Sequence, residues 1–236
     1  MKLALIGGGS MGRLVKTRAE QDGHEVVLVL TSRDAGHNAE ELKDKLSGHD
    51  AVIDFSVADA VIRNVTACAA AGVPLVEGTT GWNTSQPEVR RIVEKNDGAL
   101  IYGANFSIGV NLFYGLVARA AELFQGVTDY APFIEEAHHA RKRDAPSGTA
   151  LRLRHLLTPL GVDVPVTSTR AGYIPGTHRI GFDSVADQVL LTHTARGREG
   201  FAAGALLAAR WIVGRKGVYE FSETITEILQ ERTTRT

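Results

Sequence analysis

Two short stretches of this chain carry residue types that do chemistry. The first is Gly7-Gly8-Gly9-Ser10-Met11-Gly12. Gly7, Gly9 and Gly12 fit the spacing G-x-G-x-x-G, in which the first glycine makes a tight turn, the second lets backbone approach a pyrophosphate and the third lets a helix pack closely. With a strand before it and a helix after it, the loop aims free helix N–H groups at phosphates, so Gly7, Gly9, Ser10, Met11 and Gly12 are candidates to hold a dinucleotide. The same residues satisfy G-x-S-x-G with Ser10 as a hydrolase nucleophile. That reading is weaker, because a nucleophile elbow needs sheet on both sides and earlier strands to build an oxyanion hole, whereas Ser10 follows the first strand.

The second stretch runs from Glu135 through His138-His139-Ala140-Arg141-Lys142-Arg143 to Pro146-Ser147-Gly148-Thr149. Five of the six residues 138–143 are basic or titratable, and a helix should begin where Pro146, Ser147, Gly148 and Thr149 stand. Cationic side chains, hydroxyls and exposed amides there would hold a small anion, and a substrate with two carboxylates fits. No metal is expected: adjacent histidines in extended chain point to opposite sides, Cys68 is the single cysteine, and no HExxH spacing is present. The basic cluster is short and lacks interleaved aromatics, which argues against nucleic acid.

The end of the second expected strand bears on which dinucleotide fits. NAD binders carry an acidic residue there for the ribose 2′-OH, and an arginine accommodates a 2′-phosphate. The residues are Thr31-Ser32-Arg33, with no carboxylate before Arg33, so NADPH should bind at least as well as NADH. Asp34 follows and could still reach a ribose.

The elements that position these residues alternate in the first half. Strands are predicted at 2–6, 25–30, 51–55, 75–77 and 99–102, with helices at 10–21, 57–71 and 86–96 between them, which implies a parallel, Rossmann-like α/β sheet. After Asn111 the pattern changes to a helix at 111–124, a strand near 132–137, a helix after Pro146, β-rich sequence through Thr194 and an alanine-rich helix at 200–213. Two domains are expected: a dinucleotide-binding domain at 1–105 completed by 211–236, and a mixed α/β substrate domain at 106–210. Residues 232–236 read as frayed.

Composition narrows the class further. The 236 residues exceed one ~150-residue domain and are 44% hydrophobic, with 26 basic against 27 acidic side chains, ordinary for a globular chain and wrong for a polyanion binder. A single cysteine suits a reducing cytoplasm. The apolar start breaks at Gly7, too soon for a secretory leader. The uncharged run 98–118 contains Asn105, Ser107, Asn111 and four glycines, so it reads as strand, loop and helix and no membrane segment is expected.

Glu136-Ala137-His138-His139, Lys142 and Asp144-Ala145-Pro146-Ser147-Gly148-Thr149-Ala150 together resemble the signature of the 4-hydroxy-tetrahydrodipicolinate reductase family. Ile53-Asp54-Phe55-Ser56, Gly78-Thr79-Thr80-Gly81, Ala104-Asn105-Phe106-Ser107, Pro175-Gly176-Thr177-His178 and Phe201-Ala202-Ala203-Gly204 resemble further family segments in the same order, across essentially the whole chain. The resemblance implies reduction of a small cyclic dicarboxylate by NADPH or NADH and a homotetramer built through the second domain. It implies His138 as proton donor, Lys142 as its cationic partner, and His139, Ser147, Gly148 and Thr149 around substrate carboxylates. Arg33, Gly78, Thr79, Thr80, Gly103, Ala104, Asn105 and Phe106 match segments that contact the cofactor. The glycine loop is one residue shorter than the usual family form and the stretch from Arg33 to His49 is short, so the contacts on the adenosine side should differ.

Overall fold

The computed structural model describes residues 1–234 and divides into two compact units, Met1–Ile108 joined by the chain from Arg198 onward, and Gly109–Gly197. In the first unit, strands β1 (Lys2–Ile6), β2 (Glu25–Leu30), β3 (Ala51–Asp54), β4 (Leu75–Glu77) and β5 (Ala99–Tyr102) form a sheet with a later strand, β10 (Gly217–Glu220). All pair in parallel, in the order β10-β5-β4-β3-β1-β2. Strands covered on both faces are apolar along most of their length: Leu3 and Leu5 enter one core with Ile53, Val76 and Ile101, while Ala4 and Ile6 enter the other with Val52, Leu75 and Leu100. Helices α1 (Ser10–Gln21), α7 (Glu199–Ile212) and α8 (Phe221–Thr234) supply the first core. Helices α2 (Ala39–Leu46), α3 (Val61–Ala71) and α4 (Gln86–Lys95) supply the second.

The order reverses between β1 and β3, each neighbouring strands on opposite sides, and a ligand in such a sheet sits at the carboxyl ends beside that point. Since every strand is parallel, the loops after β1, β2, β3, β4 and β5 all emerge at that one edge.

The second unit holds α5 (Ile108–Phe124), β6 (Ala131–His138), α6 (Gly148–Leu156), β7 (Val166–Arg170), β8 (Thr177–Asp183) and β9 (Gln188–Thr194). The sheet order is β7-β6-β8-β9, with β6 and β7 parallel and the other pairs antiparallel. Ile134, Ile180 and Phe182 point to one face, where Phe113 and Val117 of α5 and Leu153 of α6 cover them. Burying each of these large side chains stabilises the unit by about 1.5–3 kcal/mol.

Three elements differ from sequence expectation. α2, β10 and α8 were not anticipated; α2 is short, and β10 carries no alternating pattern, its four residues all being half-buried. Helix α7 packs on α1, β3 and β4, so the chain returns to the first unit at Arg198 rather than at residue 211. Its small residues explain why: a Cβ on Gly204 would lie 1.7 Å from the Phe106 carbonyl oxygen, so the helix fits flush against that backbone. Helix α8 runs on through Thr234, so 232–234 are helical rather than frayed, and residues 235 and 236 lie outside the described residues.

Candidate active site

Within the first unit, the glycine loop divides its labour. Gly7 has φ +104° and a Cβ there would lie 2.3 Å from the Phe55 carbonyl oxygen, so the turn after β1 is pressed against the turn after β3. A Cβ on Gly12 would stand 1.8 Å from the Gly7 oxygen, which is what lets α1 start directly behind the turn. A Cβ on Gly9 meets nothing within 4 Å. Gly9 is the N-cap of α1 and supplies no side-chain cap, and the first turn of the helix carries no acid. Exposed amides, a helix N-terminus and open space at the middle glycine suit a phosphate.

Ser10 opens α1, and its hydroxyl accepts a hydrogen bond from Arg198 at 3.2 Å. Contrary to the sequence argument, β1 does have sheet on both sides. What is missing is a base: among the described residues no histidine bonds Ser10, so the hydrolase reading has no triad behind it.

The other loops sit at the same edge. Arg33 is exposed and its side chain has no partner among the described residues, whereas Asp34 is committed to a capping box, accepting from the Thr31 N–H at 2.9 Å. That hydrogen bond, partly countered by slight desolvation, holds the Asp34 carboxyl below its ordinary range. After β4, Gly78 donates to the Asp54 carbonyl, Thr79 is buried and Thr80 is exposed. A Cβ on Gly78 would run into the Phe55 ring at 2.2 Å. After β5, Gly103 donates to the Glu77 carbonyl, Ala104 is exposed and the Asn105 side chain accepts from the Ser107 N–H. Phe106 is 1% exposed and packs on Phe55 and Phe221, so its ring is core, and only its backbone is available to a ligand.

In the second unit, register brings the titratable residues together. Glu136 pairs with Ser168 and His178, and His138 with Arg170, so Glu136, His138, Arg170 and His178 share the sheet face that α5 and α6 cover. The Glu136 carboxylate, with no exposed side-chain surface, accepts two bonds from the Arg170 guanidinium, at 2.6 and 2.9 Å. It also accepts the Ser147 N–H at 3.2 Å and meets His138 Nδ1 at 2.5 Å. Burial alone would push this carboxyl up, but Arg170, Ser168 and His138 outweigh it and bring it to about 2. An ionised Glu136 only accepts, so Nδ1 of His138 carries the proton and Nε2 of the neutral ring carries a lone pair. Burial lowers the His138 pKa below its ordinary 6.5, partly offset by Glu136, with Lys142 and Arg170 lowering it further.

Nε2 of His138 lies against Gly176, where a Cβ would stand 3.1 Å from it at a φ of +137°. Ser147 caps α6 and its hydroxyl also meets His178 Nε2 at 3.0 Å. Burial and the neighbouring His138 bring the His178 pKa to about 4. Lys142 bonds the Asp144 carboxylate at 2.8 Å and, with a smaller contribution from the Gly148 amide, holds that carboxyl below its ordinary range. A cation and the start of a helix thus both favour negative charge at this point. Thr149 lies in the first turn of α6. Buried atoms without a partner include His139 Nδ1, Arg170 Nε, His178 Nδ1 and His193 Nδ1, an unusual concentration of unmet polar capacity in one unit.

Glu136, His138 and His178 place ligand atoms within 4.8 Å of one another, a gathering that sequence reasoning missed. Both Glu136 oxygens are already bonded to a guanidinium, so a metal cation there would face Arg170. Sequence reasoning also assigned no role to Glu136, Arg170, Gly176 or His178. The i and i+2 spacing of Glu136 and His138 on a strand was a usable signal; the cross-strand partners had none.

A parallel dinucleotide-type sheet with a glycine loop at its switch point, and a second mixed unit with a histidine held by a buried carboxylate, define a nicotinamide-dependent oxidoreductase. The chain belongs to the dihydrodipicolinate reductase family: it matches the family profiles described as "Dihydrodipicolinate reductase, N-terminus" over residues 1–106 and "Dihydrodipicolinate reductase, C-terminus" over residues 109–225. It is 34% identical to the 4-hydroxy-tetrahydrodipicolinate reductase of Christiangramia forsetii, over 98% of this chain and 100% of that one. It is 37% identical to the enzyme of the same name from Halorhodospira halophila, over 94% of this chain and 98% of that one. Among solved structures it resembles the dipicolinate-bound dihydrodipicolinate reductase from Paenisporosarcina, with a TM-score of 0.78 at 23% identity, covering 93% of this chain and 97% of that one. The fold is shared more widely: an amine dehydrogenase from Mycobacterium smegmatis superposes with a TM-score of 0.62 at 11% identity, over 94% of this chain and 95% of that one. No helix among the described residues is long and apolar enough to cross a membrane.

Proposed function

We propose that this chain reduces 4-hydroxy-tetrahydrodipicolinate to tetrahydrodipicolinate on the diaminopimelate route to lysine, with NADPH used at least as well as NADH. The observation that carries the reading is Lys142 held on a carboxylate, that of Asp144, just before the helix that Ser147 caps and after a histidine whose Nδ1 is fixed by Glu136. A substrate carboxylate takes the place of Asp144 there. His139, Ser147 and Thr149 complete the grip, and the positive end of the α6 dipole favours negative charge.

Gly7, Gly9, Ser10, Met11 and Gly12 would hold the pyrophosphate, Arg33 the ribose side, and Gly78, Thr79, Thr80, Gly103, Ala104, Asn105 and Phe106 the nicotinamide side. With Asp34 tied into its capping box and Arg33 free, the loop after β2 suits a 2′-phosphate better than a 2′-hydroxyl. A bound reduced nicotinamide supplies the hydride. Loss of water from the hydroxy compound leaves a conjugated imine, and after hydride addition the product needs one proton. Resting His138 offers a lone pair at Nε2 at neutral pH, so it donates only as the imidazolium, a form that a dianionic substrate stabilises. Lys142 is the other donor in reach of the same anion.

The assay is NADPH oxidation, followed by absorbance, on adding freshly generated 4-hydroxy-tetrahydrodipicolinate. Oxidation that depends on substrate and is lost in His138→Gln and Lys142→Ala supports the reading. Binding of NADPH without any substrate-dependent oxidation sinks it.

We also propose a homotetramer, formed through the open face of the β7-β6-β8-β9 sheet. That face carries Thr167, Thr169, Leu190 and Thr192, all exposed, and so is free to meet another copy. Sedimentation giving a monomer at micromolar concentration would refute it. The single buried cysteine and the pathway's substrates fit a cytoplasmic enzyme, which cell fractionation tests.

A further inference from the structure

Directly behind the loops assigned to the nicotinamide lies a pair of acids that the reaction does not use. Asp54 ends β3 and Glu77 ends β4, and the two are paired neighbours in the sheet. Both are 0% exposed. Asp54 accepts from the Ser56 N–H at 2.8 Å and from the Asn64 amide at 2.7 Å. Glu77 accepts from the Thr79 N–H at 2.7 Å through one oxygen, while its other oxygen is buried with no hydrogen-bond partner. The Ser56 N–H also reaches the Thr79 hydroxyl at 3.1 Å, so the two loops are tied to each other as well as to the two acids.

No cation among the described residues bonds either carboxyl. The groups facing the pair are Asn64 and Cys68 from α3, with Arg63 bonded to the far side of Asn64, and Ser56 and Thr79 from the loops. Two adjacent negative charges in a dry sheet interior repel strongly, so the pair holds one proton. Asp54, with two donors, keeps the charge. Burial and the Asp54 charge push Glu77 well above the ordinary carboxylate range, so Glu77 is the protonated partner and Asp54, its neighbour across the strand pair, is the charged one.

We propose that Asp54 and Glu77 form a one-proton clasp that fixes the Ser56 loop to the Thr79 loop and so pre-forms the nicotinamide-side wall of the cofactor site. Glu77 is a positioning residue: it acts on the cofactor through Thr79. The clasp rests on the reading of Gly78, Thr79 and Thr80 as cofactor-contacting residues. It opens when pH rises far enough to remove the shared proton, since two buried carboxylates then confront each other and the Thr79 loop gives way.

The test measures the NADPH dissociation constant by fluorescence, and KM and kcat separately, from pH 6 to 10 for wild type, Glu77→Gln and Glu77→Leu. Gln keeps the acceptor for Thr79 and gives Asp54 a donor that cannot ionise, so it should bind NADPH as wild type does at pH 7 and lose the weakening seen in wild type at alkaline pH. Leu removes both bonds and should raise KM for NADPH about tenfold while kcat changes less than twofold. A Gln variant that weakens with pH just as wild type does overturns the clasp, and so does a folded Leu variant with native NADPH affinity. If the Leu variant does not fold, the Gln profile alone decides. Wild type that binds no NADPH overturns the cofactor reading itself, whereas wild type that binds it with affinity independent of pH and of residue 77 overturns only the clasp. Cys68→Ser, run alongside, separates thiol ionisation from the pair: removal of the alkaline weakening in that variant while Glu77→Gln retains it also overturns the clasp.

Discussion

Replacing Glu136 with glutamine should cost this protein both stability and activity, by different routes. The carboxyl, ordinarily near 4.5, lies at about 2 in the folded chain, and at 1.36 kcal/mol for each pKa step this corresponds to ~3 kcal/mol in favour of the folded anion. A depressed acid contributes above its unfolded pKa and loses that contribution as pH falls through the folded one. Wild type should therefore shed ~3 kcal/mol between about pH 5 and pH 2, and Glu136→Gln should start lower at pH 7 and lack that slope. Arg170, only 17% exposed, is the reason: glutamine leaves a nearly buried guanidinium without its counter-charge. At ~2–4 °C per kcal/mol for a chain of this size, the melting temperature at pH 7 should fall by roughly 6–12 °C. Turnover should drop by about 10²-fold, because His138 loses the acceptor that fixes its tautomer and ring. Thermal unfolding at pH 7 and pH 4, together with NADPH oxidation, reads both effects. An unchanged melting temperature at both pH values, or full turnover, would show that the carboxylate neither stabilises the arginine nor orients the histidine.

The glycine loop makes a paired prediction: Gly12→Ala should destabilise by ~1–3 kcal/mol through overpacking against Gly7, visible as a lower melting temperature. Gly9→Ala should melt as wild type does while weakening NADPH binding, and equal effects of the two would refute the division of roles. Arg33→Ala should raise KM for NADPH and leave KM for NADH nearly unchanged; parallel changes would remove Arg33 from the 2′-phosphate. The pH profile separates the proton donors. With His138 as donor, kcat/KM falls as pH rises through a pKa below 6.5, the direction set by its burial. A plateau through pH 8 would assign the proton to Lys142.

The elements around the first site were legible because each announces itself locally. A continuous β-branched run such as Glu25–Leu30, or three glycines between a strand and a helix, needs no distant partner to be read. The short segments were not. β10 becomes a strand only by lying beside β5, and α7 joins the first unit only because Gly204 admits the Phe106 carbonyl. Phe106 shows the opposite limit, since a matching segment placed it at the cofactor while its ring fills the core.

What residue order determined alone was the alternation of elements, the helix mouth at Ser147 and the shared strand face of Glu136 and His138, because those depend on periods of two and 3.6 within one segment. Tertiary structure decided the partners. Arg170 reaches Glu136 across the β6 and β7 ladder, His178 reaches Ser147 from β8, and Asp54 meets Glu77 across β3 and β4. Each meeting depends on strand order and register, which are set by how apolar faces pack between layers, and no spacing along the chain encodes that distance.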